Sequence, residues 1–149
     1  MNTRPDTLAD RVSALAAALL AFDPAPQSRV GICAGNSADH ITALLAVLAC
    51  GKVWVPLNPK STHHEVRRII DATEPSILVL DAACVALLGG APGARILTGA
   101  DAGANSMATL LDQHAGAAQP VFDQPLTATQ AIKFTGGSSK CRQVAQAST

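Results

Sequence analysis

The apolar positions along this chain change their spacing several times, and each change marks an element. Leu8, Val12, Leu15 and Leu19 fall three and four residues apart, on one face of a helix. Thr7 stands where a cap is needed, with Asp10 three positions on as the acidic half of a capping box. Pro24 and Pro26 close that segment. Residues 29–34 (RVGICA) are β-prone and apolar throughout, which predicts a buried strand. Gly35 and Asn36 supply a turn, Ser37 a cap, residues 38–50 a second helix and Gly51 its end. A strand at 52–56 (KVWVP) follows, halted by Pro56 and Pro59. The spacing next predicts a helix over 62–73, with Val66, Ile69 and Ile70 inward and Pro75 as its breaker, then a strand at 76–80 (SILVL). A short helix at 82–88 and strands at 95–98 (RILT) and 131–134 (AIKF) complete the series.

Short apolar strands alternating with helices of about a dozen residues predict βαβ units. The expected fold class is therefore α/β, a three-layer domain with a mainly parallel sheet. Its strands read as continuous apolar runs because both faces are covered, and its crossovers should be right-handed. Residues 99–129 are richer in Ala, Gly, Asp, Gln and Pro and read as a long connector, with one helix at 106–113. The 149 residues suit a single domain.

Charge narrows the range of functions. Lys plus Arg is 11 and Asp plus Glu is 11, so the chain lacks the basic excess of a nucleic-acid binder or a polybasic membrane-surface protein. Aromatics are only 3%, too few for stacking platforms that hold single strands. About a fifth of the residues are alanine, so the 48% hydrophobic content is less greasy than the figure implies. The apolar run 43–50 is too short to cross a bilayer. Residues 12–22 resemble the core of a signal peptide, but Asp6, Asp10 and Asp23 flank it where basic or small residues belong, and an amphipathic helix is the better reading. Cys33, Cys50, Cys84 and Cys141 show no metal-ligand spacing. They read as reduced, structural thiols of a cytoplasmic protein.

One segment looks chemical: Phe134-Thr135-Gly136-Gly137-Ser138-Ser139-Lys140, directly after a predicted strand. Two glycines let a backbone approach an anion, and hydroxyls and amide hydrogens donate to phosphate oxygens. Lys140 or Arg142 adds positive charge. The spacing is not that of a Walker A loop. The other polar residues have plainer readings. His63 and His64 are adjacent on a helix start, where side chains diverge by about 100°, so they make a poor pair of metal ligands and read as a solvated end. His40 reads as an exposed first-turn residue and His114 has no partner. Arg67 and Arg68 form a solvated face, Asn58 serves a turn and Trp54 packs into the core. Asp39, Asp71, Glu74 and Asp81 form no evident carboxylate pair, and no nucleophile or metal site is assigned.

The stretch RVGICAGNSADHITALLAVLACGKVWVPLNPKSTHHEVRRIIDATEPSILVLDA, together with FTGGSSKCRQV further on, resembles the N-terminal part of the adenylate-forming acyl-CoA synthetase superfamily. The family opens with V-A-I-x-x-x-N-S, continues through ALLAVLKAG and VPLNP, and reaches a phosphate loop of the form [YF]-T-[SG]-G-[ST]-[ST]-G-x-P-K-G. Residues 29–81 match best, 82–128 least, and 130–144 hold the loop region. The resemblance implies the N-terminal subdomain of the acyl-CoA synthetase-like fold and an ATP-dependent ligase. Such a ligase joins a carboxylic acid to ATP as an acyl-adenylate, with Mg²⁺, and often passes the acyl group to CoA. It implies that Thr135, Gly136, Gly137, Ser138, Ser139, Lys140 and Arg142 meet the nucleotide phosphates. The loop departs from the pattern: without a gap, Lys140 replaces the third glycine, Arg142 the proline and Gln143 the lysine. With one glycine deleted, Cys141 takes the proline position and Arg142 the lysine's. Family enzymes are several times longer, so their acid pocket and catalytic lysine are expected outside these residues and the fragment alone is expected to be inactive. The alternative is a non-catalytic module that keeps the fold and pairs with a partner chain. A truncated sheet would expose an edge, which predicts self-association.

Overall fold

The computed structural model describes residues 7–99, 105–120 and 128–134, and the backbone of 141–144. The chain runs α1 (Leu8–Phe22), β1 (Arg29–Cys33), α2 (Ala38–Ala49), β2 (Val53–Pro56), α3 (His63–Thr73) and β3 (Ile77–Leu80). A short 3-10 turn, Ala82–Cys84, then leads into α4 (Val85–Leu88), β4 (Ala94–Leu97), α5 (Met107–Gln113), β5 (Ala131–Phe134) and β6 (Cys141–Val144).

The local signals place these boundaries. Thr7 accepts a hydrogen bond from the Asp10 amide and Ser37 from the His40 amide, so both hydroxyls cap their helices as their positions imply. At α3 the cap is reciprocal: Thr62 accepts from the Glu65 amide, and the Glu65 carboxylate accepts from the Thr62 amide. Gly51, at φ 78°, follows α2, and Glu74, at φ 49°, is the left-handed C-cap of α3 ahead of Pro75.

The sheet has six strands in the order β4-β3-β1-β2-β5-β6. The first five are parallel, and β6 returns antiparallel to β5. The α/β class and parallel sheet agree with the sequence pattern. β6 departs from it: residues 141–144 (CRQV) carry no β periodicity, and their strand comes from pairing with β5.

Two cores cover the sheet. Val30 and Ile32 of β1, Ile77 and Val79 of β3 and Ile96 of β4 pack with α1, α2 and α5. Cys33, Leu78, Leu80 and Val55 face the other way, against Val66 and Ile70 of α3 and Leu88 of α4. The connections from β1 to β2 and from β4 to β5 therefore step in one direction over the first face. Those from β2 to β3 and from β3 to β4 step in the opposite direction over the second, as crossovers of one hand require. Gly31 is needed in the middle strand: a Cβ there would lie 2.9 Å from a Leu78 methyl and 3.1 Å from a Leu57 methyl. The connector expected over 99–129 contributes more than a surface path, because Met107, Leu110 and Leu111 of α5 are buried against the first core.

One polar residue is built into this interior. Lys52, just before β2, is only 1% exposed. Its ammonium donates to the Asp23 carbonyl at 2.6 Å, the Ala25 carbonyl at 2.9 Å and the Ser28 hydroxyl at 2.6 Å. Three donors meet three acceptors, which is the condition for burying an ammonium at all. The contact fastens the loop between α1 and β1 to the start of β2. Lys52→Met should leave two carbonyls and a hydroxyl without their donor and lower stability by about 3 kcal/mol, read as a reduced urea midpoint with an unchanged slope.

Candidate functional site

Five parallel strands present their C-terminal ends at one edge of the sheet, where open α/β folds place their ligands. The strand order also reverses at β1, whose own connection leads to β2 while that of β2 crosses back to β3. Along this edge lie Ala34 to Ser37 after β1, Leu57 and Asn58 after β2, Asp81 after β3, Thr98 and Gly99 after β4, and Phe134 at the end of β5.

The β1, β3 and β4 side of the edge is tied together by two carboxylates. Asp81 accepts from the Gly35 amide at 2.9 Å and from the Cys84 amide at 3.1 Å, joining the tips of β1 and β3. The Gly35 N–H is the main cause of a carboxyl pKa held below its ordinary value. Asp39, in the first turn of α2, accepts from the Gly99 amide at 2.8 Å and from the Arg11 guanidinium at 2.7 Å. Sequence reasoning finds no carboxylate pair in these two residues and misses what they do. They serve separate backbone amides 46 and 60 residues away, which no local pattern could reveal. His40 is not the exposed side chain that its first-turn position suggests. It is half-buried and its Nδ1 meets the Ala34 carbonyl at 3.1 Å, so that nitrogen carries the proton. His63 is exposed, but it also binds the Leu87 carbonyl through Nδ1 at 2.9 Å, tying α3 to α4. Asn58 serves its turn by accepting from the Lys60 amide at 2.9 Å.

The buried cysteines belong to the cores. Cys33, Cys50 and Cys84 are free thiols, and burial raises the pKa of each. Among the described residues no three His, Cys, Asp or Glu side chains come together to hold a metal ion. No helix among them is long and apolar enough to cross a membrane.

β5 leads in sequence to the chemical motif. β5 ends at Phe134 and β6 starts at Cys141, and those two residues are cross-strand partners. Thr135, Gly136, Gly137, Ser138, Ser139 and Lys140 connect them and lie outside the described residues. Arg142 pairs with Lys133 in the hairpin register. Lys133 lies over the Trp54 ring at 5.2 Å from its centre, and Trp54 itself is half-buried against the first core.

The chain is thus an α/β domain whose parallel strands are covered by helices on both faces, with a glycine- and serine-bearing segment following its fifth strand in the sequence. The chain matches the family described as AMP-binding enzyme over residues 6–139, and it belongs to that family. Among curated proteins, it is 32% identical over 131 residues, 87% of its length, to the hybrid PKS-NRPS synthetase mpsA of Macrophomina phaseolina. It is 32% identical over 106 residues, 71% of its length, to malpinin synthetase of Mortierella alpina. The chain spans 3% and 1% of those two proteins. Among solved structures, ATP-bound MatB from Rhodopseudomonas palustris superposes with a TM-score of 0.77 at 25% identity, over 93% of this chain and 29% of that one. A long-chain-fatty-acid-CoA ligase from Archaeoglobus fulgidus superposes with a TM-score of 0.78 at 21% identity, over 93% of this chain and 29% of that one. The fold is thus the N-terminal subdomain of the acyl-CoA synthetase-like fold.

Because the folded carboxyl of Asp81 has its pKa depressed, its contribution to stability is complete above the unfolded value near 4 and is lost as pH falls through the folded value. Asp81→Asn should therefore flatten the acid-side fall in melting temperature between about pH 5 and pH 3. A pH series of thermal melts on both proteins checks this, and parallel curves would discard the assignment.

Proposed function

We propose that this chain forms the triphosphate-binding part of an adenylate-forming ligase. In this reading a carboxylate oxygen attacks the α-phosphorus of ATP, the bond to pyrophosphate breaks, and an acyl-adenylate forms. A thiol such as that of CoA then accepts the acyl group. Charge gathers on the leaving pyrophosphate, so the reaction gains most from donors aimed at the β- and γ-phosphates. Thr135, Ser138 and Ser139 offer hydroxyls, Gly136 and Gly137 let the backbone approach, and Lys140 and Arg142 bring positive charge. The observation that carries the reading is the pairing of Phe134 with Cys141, which gives the glycine- and serine-bearing segment both its ends at the tip of a parallel sheet.

Asp39 and Asp81 are committed to backbone amides, so they do not fit a resident metal site. Magnesium would enter with the triphosphate as part of the substrate. The chain spans 29% of MatB, which supports a fragment that holds nucleotide without turning it over alone. The free buried thiols and the use of ATP suit the cytoplasm.

A second reading has its own support. Ile41 and Leu45 of α2 are 53% and 39% exposed, one turn apart on the same helix. A non-catalytic module would cover that face by pairing with a partner chain or a second copy. Calorimetric titration with Mg-ATP, together with light scattering, separates the two. A micromolar Kd supports the ligase part; absent binding with a dimeric mass supports the module. Under the first reading, Gly137→Val should weaken Mg-ATP binding at least about tenfold, because a branched side chain displaces the backbone from the phosphates. An unchanged Kd would remove the loop from the reading.

A further inference from the structure

α2 has no polar side to turn to water. From Ile41 to Gly51 no side chain carries a charge. Thr42, the one hydroxyl in that stretch, is fully buried and donates to the Ala38 carbonyl at 2.9 Å. Ala43, Ala46 and Val47 pack into the first core. The opposite side carries Ile41 and Leu45, 53% and 39% exposed, and the partly exposed Leu48. α3, on the second face, shows the usual pattern instead: Val66 and Ile70 are buried, while His64, Arg68 and Asp71 are exposed. A helix that is apolar all round belongs in an interior, with a neighbour on each side.

α2 is also the last helix of its layer. On the first face α1 stands between α2 and α5, and α2 packs over β1 and β2, while the sheet continues to β5 and β6. Trp54 of β2 lies on this flank, half-buried. Its indole N–H is buried and meets no acceptor among the described residues. A buried donor left unpaired is costly and marks a place where a neighbour is missing.

The pattern on α2 identifies that neighbour. Ala38, Ile41, Leu45 and Leu48 recur at intervals of three, four and three residues, the spacing of one seam of a two-helix coiled coil. Such a seam fits a copy of itself. About a two-fold axis the same stripe lies on both sides, and Leu45 meets its own counterpart. The seam carries no charge to repel an identical helix. The whole chain has a formal charge of zero, which removes long-range repulsion between two copies. The edge of the sheet at β4 is a poorer route to association, because the Leu97 amide is already taken by the Asn105 carbonyl at 3.1 Å.

We infer that α2 is the contact helix of a symmetric dimer, in which two copies of this chain pair through the stripe of Ile41, Leu45 and Leu48. Pairing of this kind does not depend on nucleotide binding, which the Mg-ATP titration decides separately. One helix of 12 residues falls at the low end of specific interfaces, about 1,200 Å² in total, so the dimer is reversible, with a Kd of roughly 10–100 μM.

Sedimentation velocity on the 149-residue chain, from about 1 to 300 μM, should show the mass rising from monomer to dimer. Leu45→Glu and Leu45→Lys each set like charges against each other at the axis, and each should remain monomeric over that range. Both replacements are good helix formers at an exposed position, so an unchanged urea midpoint should confirm that the fold is kept. Mixed in equal amounts, the two variants should associate again, within about tenfold of the unaltered chain, because opposite charges then meet. Val85→Glu, at an exposed apolar residue of α4 on the other face, should leave the dimer intact. A monomer at every concentration overturns the inference and leaves the stripe to an unlike partner. A dimer that survives both Leu45 variants overturns it too, as does a mixture of those variants that stays monomeric.

Discussion

The whole domain is registered against β1. Its four residues from Val30 to Cys33 are buried, and hydrogen bonds tie it to β2 on one side and β3 on the other. A parallel strand in that position requires a helix over each face, because its neighbours are reached by crossovers rather than hairpins. The alternation Val30, Gly31, Ile32, Cys33 sorts the helices into two layers: bulky side chains face α1, α2 and α5, while the glycine leaves room for Leu57 and Leu78 beneath α3. The shared direction of the five parallel strands then brings their C-terminal ends to one edge, where open α/β folds place their ligands.

Electrostatics divides that edge. On the side of β1, β3 and β4, backbone amides are taken by the chain's own carboxylates, Asp81 on Gly35 and Asp39 on Gly99. Those amides are satisfied internally, and a second negative group brought to them would face carboxylates already in place. On the side of β2 and β5 the described cation is Lys133, which lies over the Trp54 ring.

The buried amine of Lys52 and the side-chain amide of Gln27, which donates to the Gly51 carbonyl and accepts from the Thr129 amide, act at the opposite edge of the sheet, and they do related work. Each closes a gap between chain segments that come together without regular pairing: the loop before β1 with the start of β2, and the start of β5 with both. A neutral amide suits the second place because it must donate and accept at once. An ammonium suits the first because the neighbours are all acceptors. Neither role follows from hydropathy, and a long polar side chain ahead of an apolar strand reads as a solvated one.

The elements, their caps and the class of fold were legible in the residues alone. Thr7, Ser37 and the Thr62–Glu65 pair act within three residues, and apolar period and proline breaks act within a dozen, so these signals survive without any tertiary context. The family was legible for the same reason, since ordered motifs are local strings. Folding in three dimensions was needed to settle the strand order, the pairing that makes residues 141–144 a strand, the duties of Asp39 and Asp81, the burial of Lys52 and the bridge of Gln27. Most of these join groups separated by tens of residues. A hydrogen bond between distant segments leaves no periodicity behind it: the partner is chosen by where the packed layers carry the backbone, and that position exists only once the chain has folded.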